Sequence, residues 1–177
     1  VVEVTAADDE LPRSAGLYVG TEALVHRLEH VDTVVFLDLD QELLAPRFRA
    51  AEQSMALIAA AARLVGPRSG GGRIALQTRL PDHHVVTAAL HGDPAQVTDV
   101  ERDRRREMNL PPFSAMAVVS GAVAPTFMAA FDPVGPVEIV GHDEGRWLLR
   151  APDHLSLTAA LRATPRPNGR LRIEIDP

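Results

Sequence analysis

The sequence predicts a mixed α/β fold in two parts: a strand–helix–strand lobe with a largely parallel sheet, then a small α+β domain. Three features carry this expectation. Short Val- and Leu-rich runs at 17–20 (LYVG), 33–40 (TVVFLDLD) and 73–78 (RIALQT) alternate with helical stretches, as in sheets whose strands are joined by crossover helices. A Leu110-Pro111-Pro112 break follows a charged helical segment; proline lacks a backbone donor and restricts the residue before it. Beyond the break the order is strand, helix, strand, strand, helix, strand. The expected domains are residues 1–80, a helical connector over 81–110, and residues 111–177.

Taken in order, residues 3–16 are polar and turn-rich, and TEALVHRLEH at 21–30 is a short helix between the first two strands. Pro46 then opens a helix to about Val65, since proline suits the first helical position. Phe48, Ala51, Met55, Ile58, Ala62 and Val65 recur at three- and four-residue steps and so share one face. GPRSGGG at 66–72 stops that helix as a flexible turn. The connector holds two helices, one over 82–91 and one after Gly92-Asp93-Pro94 that carries ERDRRREM. The last domain reads as strand 114–120, helix 125–131, strand 137–140, a turn at 143–145, a strand through Trp147-Leu148-Leu149, helix 153–163 and strand 170–176. That order is the ferredoxin-like split β-α-β pattern, which by itself argues for no function.

Composition narrows the chemistry. The 177 residues contain no cysteine, which excludes disulfides, a thiol nucleophile, thiolate-held iron–sulfur clusters and Cys-based zinc sites. No run approaches the eighteen or so apolar residues of a membrane span, and no secretion signal opens the chain, so a cytoplasmic protein without membrane contact is expected. The first residue is Val, and the chain reads as a piece of a longer polypeptide. All 18 basic residues are Arg, against 24 acids, for a net charge of −6. Residues 61–110 hold 8 Arg and 6 acids, whereas 1–60 hold 4 and 11. A nucleic-acid partner would therefore have to be held locally.

Several clusters invite a chemical reading. Asp38 and Asp40, two apart at a strand end, would point to one face and could hold a metal or a water; a plain acidic loop explains them more simply. His83, His84 and His91 lack ligand-like spacing, and His26 with His30 lacks the HExxH pattern, so surface histidines and no metal site are expected. PRSGGG is not followed by the Lys-Ser/Thr of a phosphate loop. Arg102, Arg105 and Arg106 can share a helical face as a phosphate-contacting patch, although Glu101, Asp103 and Glu107 equally fit a solvated helix with internal ion pairs. Arg146 beside Trp147 could pair a phosphate contact with base stacking, or Trp147 could simply be core. No Ser/His/Asp set stands out, and no catalytic residue is expected in these 177 residues.

Longer patterns carry more. LDLDQELLAPRFRAAEQ at 37–53 resembles the second helicase lobe of the primosomal replication-restart family (PriA, primosomal protein N′), approximately L-D-A-D-x-x-L-x-x-P-D-F-R-A-A-E-R. Asp38, Asp40, Leu44, Pro46, Phe48, Arg49, Ala50, Ala51 and Glu52 match. GRIALQT with Pro81 and His83 resembles the family's G-E-V-V-L-Q-T-x-x-P-x-H, and RRREMNLPPFS at 104–114 resembles E-R-R-x-x-x-x-P-P-F. Gly135-Pro136, Gly145-Arg146-Trp147 and the terminal IEIDP resemble its G-P, G-x-x-R and D-V-D-P signatures. The likeness runs over about 17–177. It implies the end of a RecA-like second helicase lobe followed by the family's C-terminal domain.

The departures fall on helicase elements. In a gapless register the Gln of the family's Q-V-A-G-R-A-G-R falls on Ala60 and its two arginines on Leu64 and Pro67, which cannot neutralise a transferring phosphoryl group. Arg63 and Arg68 lie one position off, a rotation of about 100° on a helix. The family's G-T-Q-M-x-x-K-G-H-D-F-P is here Gly20-Thr21-Glu22-Ala23 followed by a shortened VHRLEH. The resemblance thus implies a DNA-binding component of replication restart, assembling the primosome at stalled forks without an active helicase motor. Its alternatives are a functional ATP-dependent 3′-to-5′ helicase using substituted arginines, and a non-catalytic protein-interaction module. It also implies forked or single-stranded DNA, single-strand-binding protein and helicase-loading proteins as partners. ATP with Mg and two zinc ions are implied on segments outside this sequence, with no cofactor on the present one. Arg105, Arg106, Arg146 and Trp147 are the implied DNA contacts, with Arg102 beside them.

Overall fold

The computed structural model describes residues 1–4, 16–133 and 135–177. They form mixed α/β structure in two compact units, Val1–Glu101 and Arg102–Pro177. The limit falls within the stretch expected as a connector, and the turn-rich reading of 3–16 lies mostly outside the described residues. No helix among the described residues is long and apolar enough to cross a membrane.

The first unit holds two parallel strand pairs. One is β1 (Val2–Val4) with β2 (Tyr18–Gly20), and the other is β3 (Thr33–Phe36) with β4 (Arg73–Leu76). Parallel pairing agrees with the expectation, but each sheet has two strands, so no single larger sheet forms among the described residues. Helix α1 (Ala23–Arg27) precedes β3. Between β3 and β4 lie α2 (Leu39–Leu43) and α3 (Ala50–Val65), the crossover a parallel pair requires. Helix α4 (His84–His91) and the start of α5 (Ala95–Glu107) complete the unit. Leu39, Leu43, Met55, Ile58, Val85 and Val97 form its core, with Phe36 and Leu76 packed against them.

Two boundaries differ from the sequence reading. The apolar run 33–40 is not all strand: β3 stops at Phe36, and buried Leu39, whose N–H donates to the Gln77 carbonyl, starts α2. Asp38 and Asp40 therefore sit at a helix start, where residues two apart do not share a face. The long helix begins at Ala50 and not at Pro46, because residues 45–50 are spent in tight turns closed by Arg47 N–H to Ala45 and Ala50 N–H to Arg47. At its far end the glycines are required. A Cβ on Gly72 would lie 2.4 Å from the Val65 carbonyl oxygen, so only glycine lets the chain turn back so closely over the helix terminus.

The second unit is one antiparallel sheet with two helices. Its elements are β5 (Ala115–Ser120), α6 (Ala124–Ala129), β6 (Glu138–Asp143), β7 (Arg146–Ala151), α7 (His154–Ala163) and β8 (Arg172–Ile175). The strand order is β6-β7-β5-β8. Central β5 is buried along nearly its whole length. Alternate residues Ala115, Ala117 and Val119 join Leu149, Phe127 and Leu157 in the core. Glu144 and Gly145 both have positive φ, 45° and 76°, the primed turn that matches the twist of a tight hairpin. Asp153 caps α7 by accepting from Ser156 N–H at 2.7 Å. Asp176 fastens the end of β8: it accepts from Met116 N–H at 2.9 Å, and its other oxygen meets His154 Nε2 at 2.7 Å.

Candidate nucleic-acid interface

In the first unit the acidic pair is occupied by the fold. One oxygen of Asp40 accepts from the Thr78 hydroxyl and the other from Arg79 N–H at 2.9 Å, joining α2 to the end of β4. The Thr78 hydroxyl first, and the Arg79 N–H second, hold the Asp40 carboxyl below its ordinary value. Asp38 accepts from the Gln41 side chain at 2.8 Å. Among the described residues no three His, Asp or Glu side chains gather where they could hold a metal ion.

The histidines are not all surface groups. His83 caps α4, its Nδ1 accepting from Val85 N–H at 3.3 Å. His84 is mostly buried, with Nε2 3.3 Å from a carboxylate oxygen of Glu101, whose side chain is 3% exposed. A buried Glu in a run of charges was not readable from sequence, because helical period alone does not say which charged position turns inward.

On α3 the positions aligned with the family's Gln and first arginine are both buried, Ala60 at 7% and Leu64 at 6% exposure. Arg63 is exposed and lines a cleft of about 280 Å³ with His26 and Glu29 of the α1 segment. Pro67 and Arg68 are exposed at the turn after α3.

The second unit holds the five expected DNA contacts. Arg102 and Arg106 near the end of α5 have side chains 50% and 61% exposed, and both reach Asp103, at 3.5 and 3.2 Å. Arg105, by contrast, is 9% exposed and engaged within the fold. It therefore does not stand on the same open surface. Placing three arginines on one helical arc was geometrically sound, but burial divides that arc. The Arg106 guanidinium lies 4.8 Å from the centroid of the Phe113 ring, a cation–π contact. Phe113 also lines a cleft of about 230 Å³ with Pro136, Glu138, Arg150 and Pro152, in which Arg150 pairs with Glu138 at 3.1 Å.

Arg146 and Trp147 are adjacent on β7 and so project to opposite sides of the strand. Arg146 is exposed at the hairpin, while Trp147 is half-buried against the core. Across the hairpin His142 pairs in register with Trp147, and the two rings stack with centroids 4.3 Å apart and planes 28° from parallel. Phe113 and His142 were not among the sequence-derived candidates. His142 was within reach, because a two-residue turn at 144–145 sets 142 opposite 147.

The chain is thus a two-unit α/β protein whose second unit carries arginines on a helix end and on a hairpin. No family model matches it. It is similar to the replication restart protein PriA of Haemophilus influenzae, 30% identical over 105 residues, which is 58% of this chain and 14% of that protein. The PriA of Treponema pallidum is 39% identical over 74 residues, 42% of this chain and 11% of the relative. That of Bacillus subtilis is 28% identical over 108 residues, 60% and 13%. The similarity therefore spans about half of this chain and a small part of each relative.

Proposed function

We propose that the chain is a DNA-binding component of replication restart, the C-terminal part of a PriA-like protein that marks stalled forks without driving a helicase motor. The observation that carries this reading is the similarity to three proteins named for replication restart. Parallel pairing of β3 with β4 across a helical crossover supports reading the first unit as the end of a RecA-like lobe. The strand order β6-β7-β5-β8, with a helix after β5 and another after β7, supports a ferredoxin-like second unit. Burial of Ala60 and Leu64 supports motor loss, since the α3 face that would offer polar groups to a nucleotide is apolar and packed. ATP with Mg, and zinc, belong in this reading to other segments of such a protein. Single-strand-binding protein and helicase-loading proteins are its partners.

DNA contact is assigned to Arg102, Arg106, Arg146 and Trp147, the exposed or half-exposed members of the set, while Arg105 is buried. The test is binding of the 177-residue chain to forked DNA and to blunt duplex across a salt series. Tighter fork binding is expected. The salt slope should fall by about one per phosphate contact removed, so by about two in Arg102→Ala with Arg106→Ala. Equal affinity for every DNA, unchanged in that variant, overturns the assignment.

The motor-competent alternative draws on Arg63, which is exposed on a cleft. It requires DNA-stimulated ATP turnover in the longer protein that carries this sequence, lost on Arg63→Ala. A protein-interaction module is favoured by the internal pairing of Arg102 and Arg106 with Asp103. It requires partner capture with no shift of DNA.

A further inference from the structure

We propose that the His142–Trp147 stack is a platform for an unpaired nucleobase, so that the second unit recognises the single-stranded arm of a fork and not its duplex. This rests on the DNA-binding reading above and adds His142 to it.

The argument starts from the hairpin. His142 lies on β6, an edge strand whose six residues are all exposed. Trp147 lies opposite on β7, with part of its surface committed to the core of the unit. One face of the His142 ring is covered by the indole, and His142 itself is exposed. A flat ring fixed over a second ring, with solvent beyond, is the surface on which successive bases stack, and histidine serves as well as tyrosine in such sites. Stacking is tolerant of sequence because every base has a π face, and it is closed to the interior pairs of a duplex, whose faces are already covered by their neighbours.

The other stacked histidine pair offers a contrast. His83 and His84 also stack, with centroids 4.4 Å apart, but His83 caps a helix and His84 meets a buried carboxylate. Both rings are used by the fold. Among the described residues the His142 ring makes no side-chain hydrogen bond or ion pair, and its contact is the stack on Trp147. The hairpin tip also carries Arg146 on the other side of β7, among the exposed residues of the tight turn. A strand passing round the tip meets a ring on one side and a guanidinium on the other, and the planar guanidinium suits a phosphate.

The chain contains one tryptophan, so its emission reports Trp147 alone. The probes are single-stranded oligothymidylate of about twelve nucleotides, a blunt duplex and oligouridylate of the same length, with fork binding followed separately by anisotropy of a labelled DNA. Saturable change of Trp147 emission by oligothymidylate, and little by duplex, is expected. His142→Ala should weaken single-strand binding about tenfold with no loss of thermal stability beyond a few degrees, and His142→Phe should restore it by returning a ring. Fork binding with unchanged Trp147 emission, and with His142→Ala binding like wild type, overturns the platform while leaving DNA binding intact. Tighter binding of oligouridylate than oligothymidylate overturns its assignment to DNA. No binding of any nucleic acid by either readout removes both readings.

Discussion

An arginine at Leu64, the position where the helicase family that this chain resembles carries one, should cost this fold its packing. Leu64 is 6% exposed, on the face of α3 that meets the α1 segment. Burying a leucine side chain stabilises by about 1.5–3 kcal/mol relative to leaving it in water, and Leu64→Arg forfeits most of that. The guanidinium can follow the cleft of about 280 Å³ to solvent, as long cationic side chains do, so the cost of an unpaired buried charge is largely avoided. A net loss of about 1.5–3 kcal/mol follows, which at roughly 4–8 °C per kcal/mol for a unit of about a hundred residues is a drop of ~6–24 °C in melting temperature. The control is Ala62→Arg, which puts the same side chain at an exposed position of the same helix and should stay within about 0.5 kcal/mol of wild type. Thermal unfolding followed by far-UV circular dichroism compares the two. If Leu64→Arg melts no lower than Ala62→Arg, packing does not hold the arginine out, and the structural case for motor loss fails with it.

Other outcomes follow from single sites. Leu157→Ala, at a fully buried core position of the second unit, should destabilise by about 2–5 kcal/mol, read as a lower denaturation midpoint with an unchanged slope. Gly72→Ala would place a Cβ 2.4 Å from the Val65 carbonyl oxygen; a loss of about 1–3 kcal/mol is expected, and an unchanged midpoint would contradict that close approach. Asp40 and Asp153 both lie below their ordinary carboxyl value of 3.8. The Thr78 hydroxyl acts first on Asp40, and the Ser156 N–H first on Asp153. A carboxyl depressed on folding stabilises the protein above its unfolded value, and that contribution is lost as pH falls through the folded one. Stability should therefore fall below about pH 4–5, and less steeply in Asp153→Asn, which an acid titration of melting temperature would read.

How far the sequence could be read depended on which force set each feature. Elements fixed by local signals were legible: prolines and glycines punctuated the second unit well enough to place all six of its elements within a few residues of where they fall. Features fixed by burial were not. TVVFLDLD reads as eight strand residues until Leu39 is seen turned into the core, and that contact is made through residues 77–79, far along the chain. Arg105 and Glu101 carry the same local signal as Arg102 and Arg106, yet the first two are buried. Helical spacing gives the angle between side chains and not the direction of the core. Phe113 under Arg106 belongs to the same class, a contact made across a turn with no period to betray it.

The net charge of −6 looks hostile to a nucleic-acid partner, but its distribution changes the argument. Val1–Glu101 holds 8 Arg against 15 acids, and Arg102–Pro177 holds 10 against 9. The deficit is thus confined to the first unit. At physiological salt, charges farther apart than about 8 Å are largely screened from one another, so a phosphate at Arg106 or Arg146 responds to near neighbours and not to the sum over the chain. Those neighbours include acids. Asp103 holds Arg102 and Arg106, and Asp143 sits opposite Arg146 in the hairpin. A phosphate must displace or share these partners, which lowers affinity for any one contact and leaves discrimination to stacking. A surface built this way should hold smooth duplex weakly and a strand with accessible bases better. That is the behaviour a fork-marking protein needs among a vast excess of intact duplex.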